Sequence, residues 1–388
     1  MNRVRTVAVI GGGIAGPVAA LALRKAGIEA TVYESHPTTA DGVGGTIAIA
    51  PNGMAALDIV GAAAPAAAAS WPVHRQVMTV GRKRLELPGL PDAGPLHVIN
   101  RSDLYRILAA NAPIEYGKRL VTAVSRQDGI AAAFADGEEI QADILIGADG
   151  VHSTVRSLID PAAPGPHFTG MLALEGHSPM SVPEEAGTMV FAFGKRGFYL
   201  YGPALGGGTT IGINLPHRPL TIAEARAIPR PQWKDTLLEI YGEDSPGGDL
   251  IRQLPAEDLT VNGALHIMPP VPRWHRGRMV LTGDAVHAPS NSSGQGASLA
   301  IESAIELAQC LRDIPDVTEA FSTYERLRRI RVEKVAARAA RTNSVKAPGP
   351  IGKALMPIIM RAFMKFAMNP EKVIGPEQRY RIDWAKTL

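Results

Sequence analysis

One cysteine, Cys310, in 388 residues excludes an intrachain disulfide and any zinc site built on clustered thiolates. Thiol scarcity of this kind suits a reducing compartment, and a cytoplasmic location is expected. Long apolar runs are missing too. The run 7–10 breaks into glycines, so no secretory signal is read there, and region 43–73 is interrupted by Pro51, Asn52, Asp58 and Pro65, so it should not cross a bilayer. A strong charge of one sign is also lacking: 40 Lys and Arg against 37 Asp and Glu give a formal net charge of +3. The basic residues peak between 326 and 341, where Glu325 stands one turn before Arg329, which reads as a solvated helix face. Aromatics are 5% of the chain and form no stacking platform beside those charges, so nucleic-acid binding is not indicated. No metal-ligand spacing is read. At 46% hydrophobic and 20% charged, the composition is that of a globular protein with room for two structural units.

The informative residues begin at position 4. A short apolar strand runs into Gly11, Gly13 and Gly16, an Ala/Leu-rich helix follows, and a second strand ends on Glu34. Gly11 makes the tight turn, Gly13 lets backbone approach a pyrophosphate, and Gly16 lets helix and strand pack closely. The helix N-terminus offers free N–H groups to an anion, and Glu34 can accept hydrogen bonds from ribose hydroxyls. This unit signals a dinucleotide. It does not separate FAD from NAD.

Further along, a glycine-rich segment (Gly42, Gly44, Gly45) precedes an Ala-rich helical stretch ending near Ala69. Short strands are expected at 76–80 and 83–87, a helix over 102–110, hairpin-like strands to Phe134 and a buried strand over 142–147. Between about 168 and 215 the pattern turns β-rich, with segments 189–193, 198–201 and 209–214 separated by glycine-bearing turns. This predicts an antiparallel sheet inserted as a second layer. Helices are expected within 222–254, strands at 260–265 and 278–281, then helices near 296–312, 316–343 and 353–368, the last with an amphipathic stretch over 354–368 packed on the body. The expected class is α/β: a discontinuous Rossmann-like unit (1–74, 96–166, 276–345), an inserted sheet unit (75–95, 167–275) and a C-terminal helical extension (346–388).

Two more motifs each follow a buried strand. In the first, Asp149 and Gly150 precede Ser153, placed to cap a short helix that carries Arg156. In the second, Gly283, Asp284 and His287 lead through Pro289 to Gly294, Gly296, Ala297 and Ser298 at the start of a long helix. Asp284 can accept from a polyol chain, and the uncovered N–H groups near Gly296 can steady developing negative charge.

Three motifs in this order and spacing resemble the FAD-dependent aromatic monooxygenases of the para-hydroxybenzoate hydroxylase type, over essentially the whole chain. The resemblance implies that Gly11, Gly13, Gly16 and Glu34 hold the ADP half of FAD, with Ile14, Ala15, Ser35 and Gly45 also among the cofactor-binding residues. It implies that Arg101 contacts FAD, Leu120 offers backbone to the adenosine, and Asp149 and Arg156 serve FAD and NAD(P)H use. Asp284 with Gly283 would hold the ribityl chain, and the turn from Gly294 to Ser298 would face the flavin pyrimidine edge. Departures are Ser290 and Asn291 where paired prolines are usual, Ser298 where asparagine is common, and Ser303 for an aspartate. Trp71, Trp233, Trp274 and Trp384 are isolated, so the paired-tryptophan motif of flavin halogenases is missing.

The activity implied is an NAD(P)H-consuming monooxygenation that inserts one oxygen atom of O2 into an aromatic or polyketide-like molecule through a flavin hydroperoxide. Hydroxylation, epoxidation and Baeyer–Villiger insertion all fit. Phe191, Phe193, Tyr199 and Tyr201 on the inserted sheet, with Asn291, are the candidate substrate contacts. No catalytic base stands out, and His287 reads as structural. The alternatives are an FAD-dependent reductase of the same fold and a catalytically silent FAD-binding protein. A monomer or homodimer without stable membrane association is expected.

Overall fold

Residues 3–39, 44–81, 83–90, 92–345 and 370–388 are described by the computed structural model of the chain. The amphipathic helix expected over 354–368, and Gly42 of the glycine-rich segment, lie outside the described residues.

β1 (Thr6–Ile10) leads into α1 (Ala15–Lys25), which returns the chain to β2 (Glu29–Glu34) beside and parallel to β1. Next come β3 (Thr46–Ile49), α2 (Pro51–Ile59), α3 (Ala63–Ala68), β4 (Trp71–Val73), β5 (Arg75–Val80), β6 (Lys83–Leu87), β7 (Leu96–Asn100) and α4 (Arg101–Ala109). β8 (Ile114–Tyr116) then pairs with β2, and β9 (Leu120–Ser125), β10 (Ile130–Phe134) and β11 (Glu139–Ala142) make a small antiparallel sheet. β12 (Ile144–Gly147) and α5 (Thr154–Ile159) come next, then the long strands β13 (His167–Ser178), β14 (Thr188–Phe193), β15 (Phe198–Pro203) and β16 (Thr209–Pro216). Helices α6 (Ile222–Ala227), α7 (Arg230–Tyr241) and α8 (Gly247–Gln253) precede β17 (Thr260–Ile267), β18 (His275–Arg276) and β19 (Met279–Leu281). The described chain continues as α9 (Gly296–Asp313), α10 (Val317–Val345) and two short helical turns, Pro370–Val373 and Gly375–Gln378.

Six strands form one sheet in the order β18-β19-β12-β1-β2-β8, all parallel except the edge strand β18. Its central strands read as unbroken apolar runs because both faces are covered: Val9, Ile144, Leu145, Ile146, Val280 and Leu281 are fully buried. The second large sheet runs β17-β13-β16-β15-β14-β5-β6, antiparallel except where β5 lies parallel to β14. Its longest strand, β13, has no counterpart among the strands expected from sequence. Its buried face descends from Leu172 and Leu174 to Gly176 and Ser178, so the apolar alternation fades halfway. Gly176 is small because Leu254 fills its place: a Cβ there would lie 2.7 Å from Leu254 Cδ1.

Alternation along the seven-stranded sheet sorts its side chains into two faces. One face carries Leu172, Leu174, Val190, Ala192, Tyr199, Tyr201, Ile211 and Ile213, which form a second core with Trp233, Leu237 and Tyr241 of α7. Tyr199 meets Tyr241 edge-on at 5.9 Å, and its hydroxyl accepts from the Gly247 N–H at 3.3 Å. Tyr199 and Tyr201 therefore belong to the helix-covered side, which corrects their expected role as substrate contacts. The opposite, half-buried face presents Phe191 and Phe193 with Phe198, Leu200, Glu175 and Asn214.

The basic stretch of α10 is a solvated face only in part. Arg329 pairs with Glu325 at 2.7 Å as the spacing suggested, but Arg328 is wholly buried, 2.7 Å from an equally buried Glu302. Arg331 also reaches Glu302, and Arg338 holds Glu377 in the C-terminal segment. Carboxylates of α9 and of the C-terminal segment, not water, hold Arg328, Arg331 and Arg338.

Trp233 anchors the helical cover of the second core, 2% exposed, with its indole N–H donating to the Ala225 carbonyl at 3.1 Å. Trp233→Ala should destabilise the protein by about 3–5 kcal/mol through the cavity and the orphaned carbonyl. An unchanged urea midpoint would contradict that packing.

Candidate functional site

Three loops meet at the carboxyl ends of β1, β12 and β19, and glycines allow the meeting. Gly11 has φ +104°, and a Cβ on it would sit 2.5 Å from the Ala148 carbonyl oxygen, so the first loop lies directly on the second. A Cβ at Gly16 would stand 2.0 Å from the Gly11 oxygen, which seats α1 against its own strand. Gly283, at φ +60°, would place its Cβ 2.8 Å from that of Ala15, seating the third loop on the start of α1. Other glycines face open space. Gly294 and Gly296 have nothing within 4 Å of a built Cβ, and Gly13 has only Arg101 Nη2 at 3.6 Å. One set of glycines closes the fold; the other leaves open space beside the backbone, although the Gly294 N–H already donates to the Asn291 carbonyl at 3.1 Å.

A cavity of about 140 Å³ opens at the glycine turn, lined by Gly12, Gly13, Ile14, Glu34, His36, Arg101 and Tyr105. Glu34 braces its wall: Oε2 accepts the Gly12 N–H at 2.6 Å, and Oε1 accepts from the His36 N–H at 2.7 Å and the Ser35 hydroxyl at 3.2 Å. Arg101 is fixed at the start of α4 by its N–H, which donates to the Gly45 carbonyl at 3.0 Å. Leu120 begins β9, two residues past Lys118, whose N–H donates to the Glu34 carbonyl at 2.8 Å, and its side chain is buried in the first core. His36 and Tyr105 had no motif to announce them; only the loop geometry brings them in.

The second and third motifs are stitched together by Arg156. This buried guanidinium donates to the Ala285 carbonyl at 2.8 Å and the Val151 carbonyl at 2.7 Å. Ser153 caps α5 as expected, accepting the Arg156 N–H at 2.9 Å, and its hydroxyl donates to Asp149, which also accepts the Val155 N–H at 3.1 Å. Burial pushes the Asp149 carboxyl above its ordinary range while these donors pull it down. Both residues hold loop geometry here.

Asp284 differs. Its side chain is open to solvent between the buried Gly283 and Ala285. Crowding by protein lifts its pKa to about 6, opposed by the positive charge of Arg101. That solvent offsets part of the rise, so the full displacement applies when water is excluded.

The start of α9 is pinned from behind. The Ser298 hydroxyl accepts the Ala50 N–H at 3.0 Å, and Asn52 donates to Gln295 at 2.9 Å and Glu302 at 2.7 Å. Ser298 is thus turned into the protein, whereas Gly296 and Ala297 remain on the open side. His287 Nε2 lies 2.8 Å from the Ser303 hydroxyl, which accepts from Arg328 Nε at 3.1 Å. Burial and the Arg328 charge drive the His287 pKa down to about 3, so the ring stays neutral and structural. Across the cleft, Asn291 donates to Asn214 of the sheet at 3.3 Å. Glu175 accepts from the Thr46 N–H at 2.9 Å and the Thr46 hydroxyl at 3.0 Å. These two contacts join the half-buried sheet face to the glycine loops. Glu175 escaped sequence reading because β13 itself did. Cys310 is buried with its thiol pushed up to about 12, so it is unreactive.

This arrangement, a parallel sheet with its glycine loops at the carboxyl edge facing a second sheet, defines an FAD-binding flavoprotein fold. The family pattern described as an FAD binding domain matches residues 5–339, and the chain belongs to that family. It is similar to a 3-amino-4-hydroxybenzoate 2-monooxygenase of Streptomyces platensis, 32% identical over 86% of each chain. It is also similar to an FAD-dependent urate hydroxylase of Klebsiella pneumoniae, 28% identical over 85% of this chain and 88% of that one. Among solved structures, Klebsiella pneumoniae HpxO complexed with FAD and uric acid superposes with a TM-score of 0.82 at 24% identity, covering 96% of both chains. The protein is a flavin-dependent monooxygenase with FAD as its cofactor. No helix among the described residues is long and apolar enough to cross a membrane.

His287 sets a pH dependence of stability. Its folded pKa is far below the unfolded 6.5, so between pH 6.5 and about 3 the unfolded chain holds the extra proton and stability falls as pH drops. Asp284 acts in the opposite direction, with a share reduced by the water that reaches its carboxyl. His287→Gln should flatten the acid-side loss of urea midpoint between pH 6.5 and 4. Parallel profiles for variant and wild type would refute the neutral buried ring.

Proposed function

We propose that the protein consumes NAD(P)H and O2 to insert one oxygen atom into an aromatic or polyketide-like small molecule, held between the sheet face and the bound flavin. The observation that carries this reading is that the segment opening α9, with free space at Gly294 and Gly296, meets the aromatic sheet face through the Asn291–Asn214 hydrogen bond. The residues present fit FAD: side-chain-free backbone at Gly13, Gly294 and Gly296, and a solvent-open carboxylate at Asp284. Gly11, Gly13, Ile14, Ala15, Gly16, Glu34, Ser35, Gly45, Arg101 and Leu120 would hold the ADP half. Gly283, Asp284, Gly294, Gly296 and Ala297 would hold the ribityl–flavin half, with Asp149, Arg156 and Ser298 supporting the loops from behind.

When bound, FAD supplies the redox chemistry that the side chains lack. The chain's own contribution is placement. Main-chain N–H groups at the start of α9 favour negative charge beside them, and Phe191, Phe193, Phe198 and Leu200 keep the opposite wall poor in water. Segments 1–74, 96–166 and 276–345 would thus serve the cofactor, and 75–95 and 167–275 the substrate. Ring-hydroxylating relatives, among them the aminohydroxybenzoate and urate enzymes, support an aromatic substrate.

Purified protein should be yellow and, with phenolic or polyketide compounds, show stimulated NAD(P)H oxidation matched by oxygen uptake. Product formation without oxygen uptake would assign a reductase instead, and bound flavin without stimulated oxidation would assign a silent binder. Gly296→Val tests the site itself. The chain has space for the side chain, so the apo fold should melt as wild type while FAD affinity drops at least about tenfold. Full flavin content in that variant would exclude the assignment.

A further inference from the structure

The half-buried sheet face can be read row by row from strand register. Ala173, Asn214, Phe198, Phe193 and Val80 lie across one row, and Glu175, Gly212, Leu200, Phe191 and Met78 across the next. A third row is His177, Thr210, Gly202, Met189 and Gln76, with His177 exposed at the far end. From β13 to β14 these rows hold no lysine or arginine, and Glu175 is their single fixed charge; Lys83 comes only at the outer edge strand. The facing described segments, 44–49 and 289–293, contain no charged residue. Arg101 lies on the cofactor side, its Cδ 2.9 Å from where a Gly44 Cβ would be, with its field on Asp284.

Glu175 has acceptor capacity left. Oε2 takes both Thr46 donors, while Oε1 has no hydrogen bond among the described residues. Asn262 stands beside it: a Cβ on Gly45 would be 2.5 Å from Glu175 Oε2 and 2.1 Å from Asn262 Nδ2. Asn262 Oδ1 is buried without a partner. Of the two, Glu175 Oε1 is left open to a ligand donor, whereas Asn262 Oδ1 lies below the accessible surface. A ligand carboxylate lying on these rows would meet the Glu175 charge with no lysine or arginine on the rows to offset it, and with water excluded that repulsion is strong.

We propose that this sheet face selects an uncharged or cationic aromatic that points an amine, amide N–H or hydroxyl at Glu175, and rejects aromatic carboxylates. The proposal rests on the reading of this sheet face as the substrate wall. It separates the chain from the benzoate-acting relative it resembles.

The test uses the FAD-loaded enzyme and compounds differing in one group: 3-amino-4-hydroxybenzoate, its primary amide, and 2-aminophenol. Binding is read from perturbation of the flavin spectrum, and turnover from stimulated NAD(P)H oxidation. The amide and the aminophenol should bind at least about tenfold more tightly than the acid. Glu175→Gln should bring the three within about twofold, chiefly by admitting the acid, whereas Thr46→Val, which loosens the clasp but keeps the charge, should preserve the preference. The wild-type comparison decides the charge preference even if Glu175→Gln fails to fold. Equal or tighter binding of the acid overturns the inference and leaves monooxygenation standing. A flavoprotein whose spectrum and oxidation respond to none of the three overturns it together with the substrate-wall reading.

Discussion

The close approach of three loops at the carboxyl edge of the parallel sheet is the constraint on which the rest of this structure depends. A side chain at Gly11, Gly16 or Gly283 would collide with backbone or with a core Cβ, so any of them would pry a strand end away from its neighbours. Held together, the strand ends deliver Glu34, Asp149 and Asp284 from three distant parts of the sequence to one edge. Carboxylates from distant chain segments gather there because parallel strands all point their ends the same way.

A second requirement is that α9 start in the right place, and that position is set by buried polar groups. Glu302 receives hydrogen bonds from Arg328, Arg331 and Asn52, and Asn52 also reaches Gln295 at the helix start. Arg331 stacks over the Tyr380 ring at 4.0 Å and donates to the Glu377 carbonyl at 2.9 Å, so the C-terminal segment closes the network from outside. Buried ion pairs add little net stability against a well-packed apolar alternative, but losing one partner is severe. Their value here is positional. They orient a helix whose exposed end carries only glycine and alanine toward the cleft.

Much of the three-loop edge was legible in sequence because its signals are local. Gly11, Gly13 and Gly16 mark a strand–turn–helix within a few residues, and Ser153 sits where its cap must be. The seven-stranded sheet was less legible, for two physical reasons. Period-two alternation says which residues share a face but not which face meets helices, so Tyr199 and Tyr201 were indistinguishable from Phe191 and Phe193 until α7 was seen to cover one side. β13 hid its alternation behind Gly176, whose smallness answers to Leu254, nearly 80 positions away. With that strand went Glu175, the one fixed charge on the wall. Arg328 shows the same limit, since a helical basic run looks solvated unless the buried acid opposite it is known.

The central claim is that these three loops jointly grip one dinucleotide through main-chain groups and the Asp284 carboxylate. Titration of deflavinated protein with FAD, followed by flavin fluorescence, tests it most directly. One FAD per chain should bind tightly, with AMP and riboflavin each binding far more weakly because neither spans all three loops. Protein that stays colourless in excess FAD, or that binds riboflavin as tightly as FAD, would contradict the account.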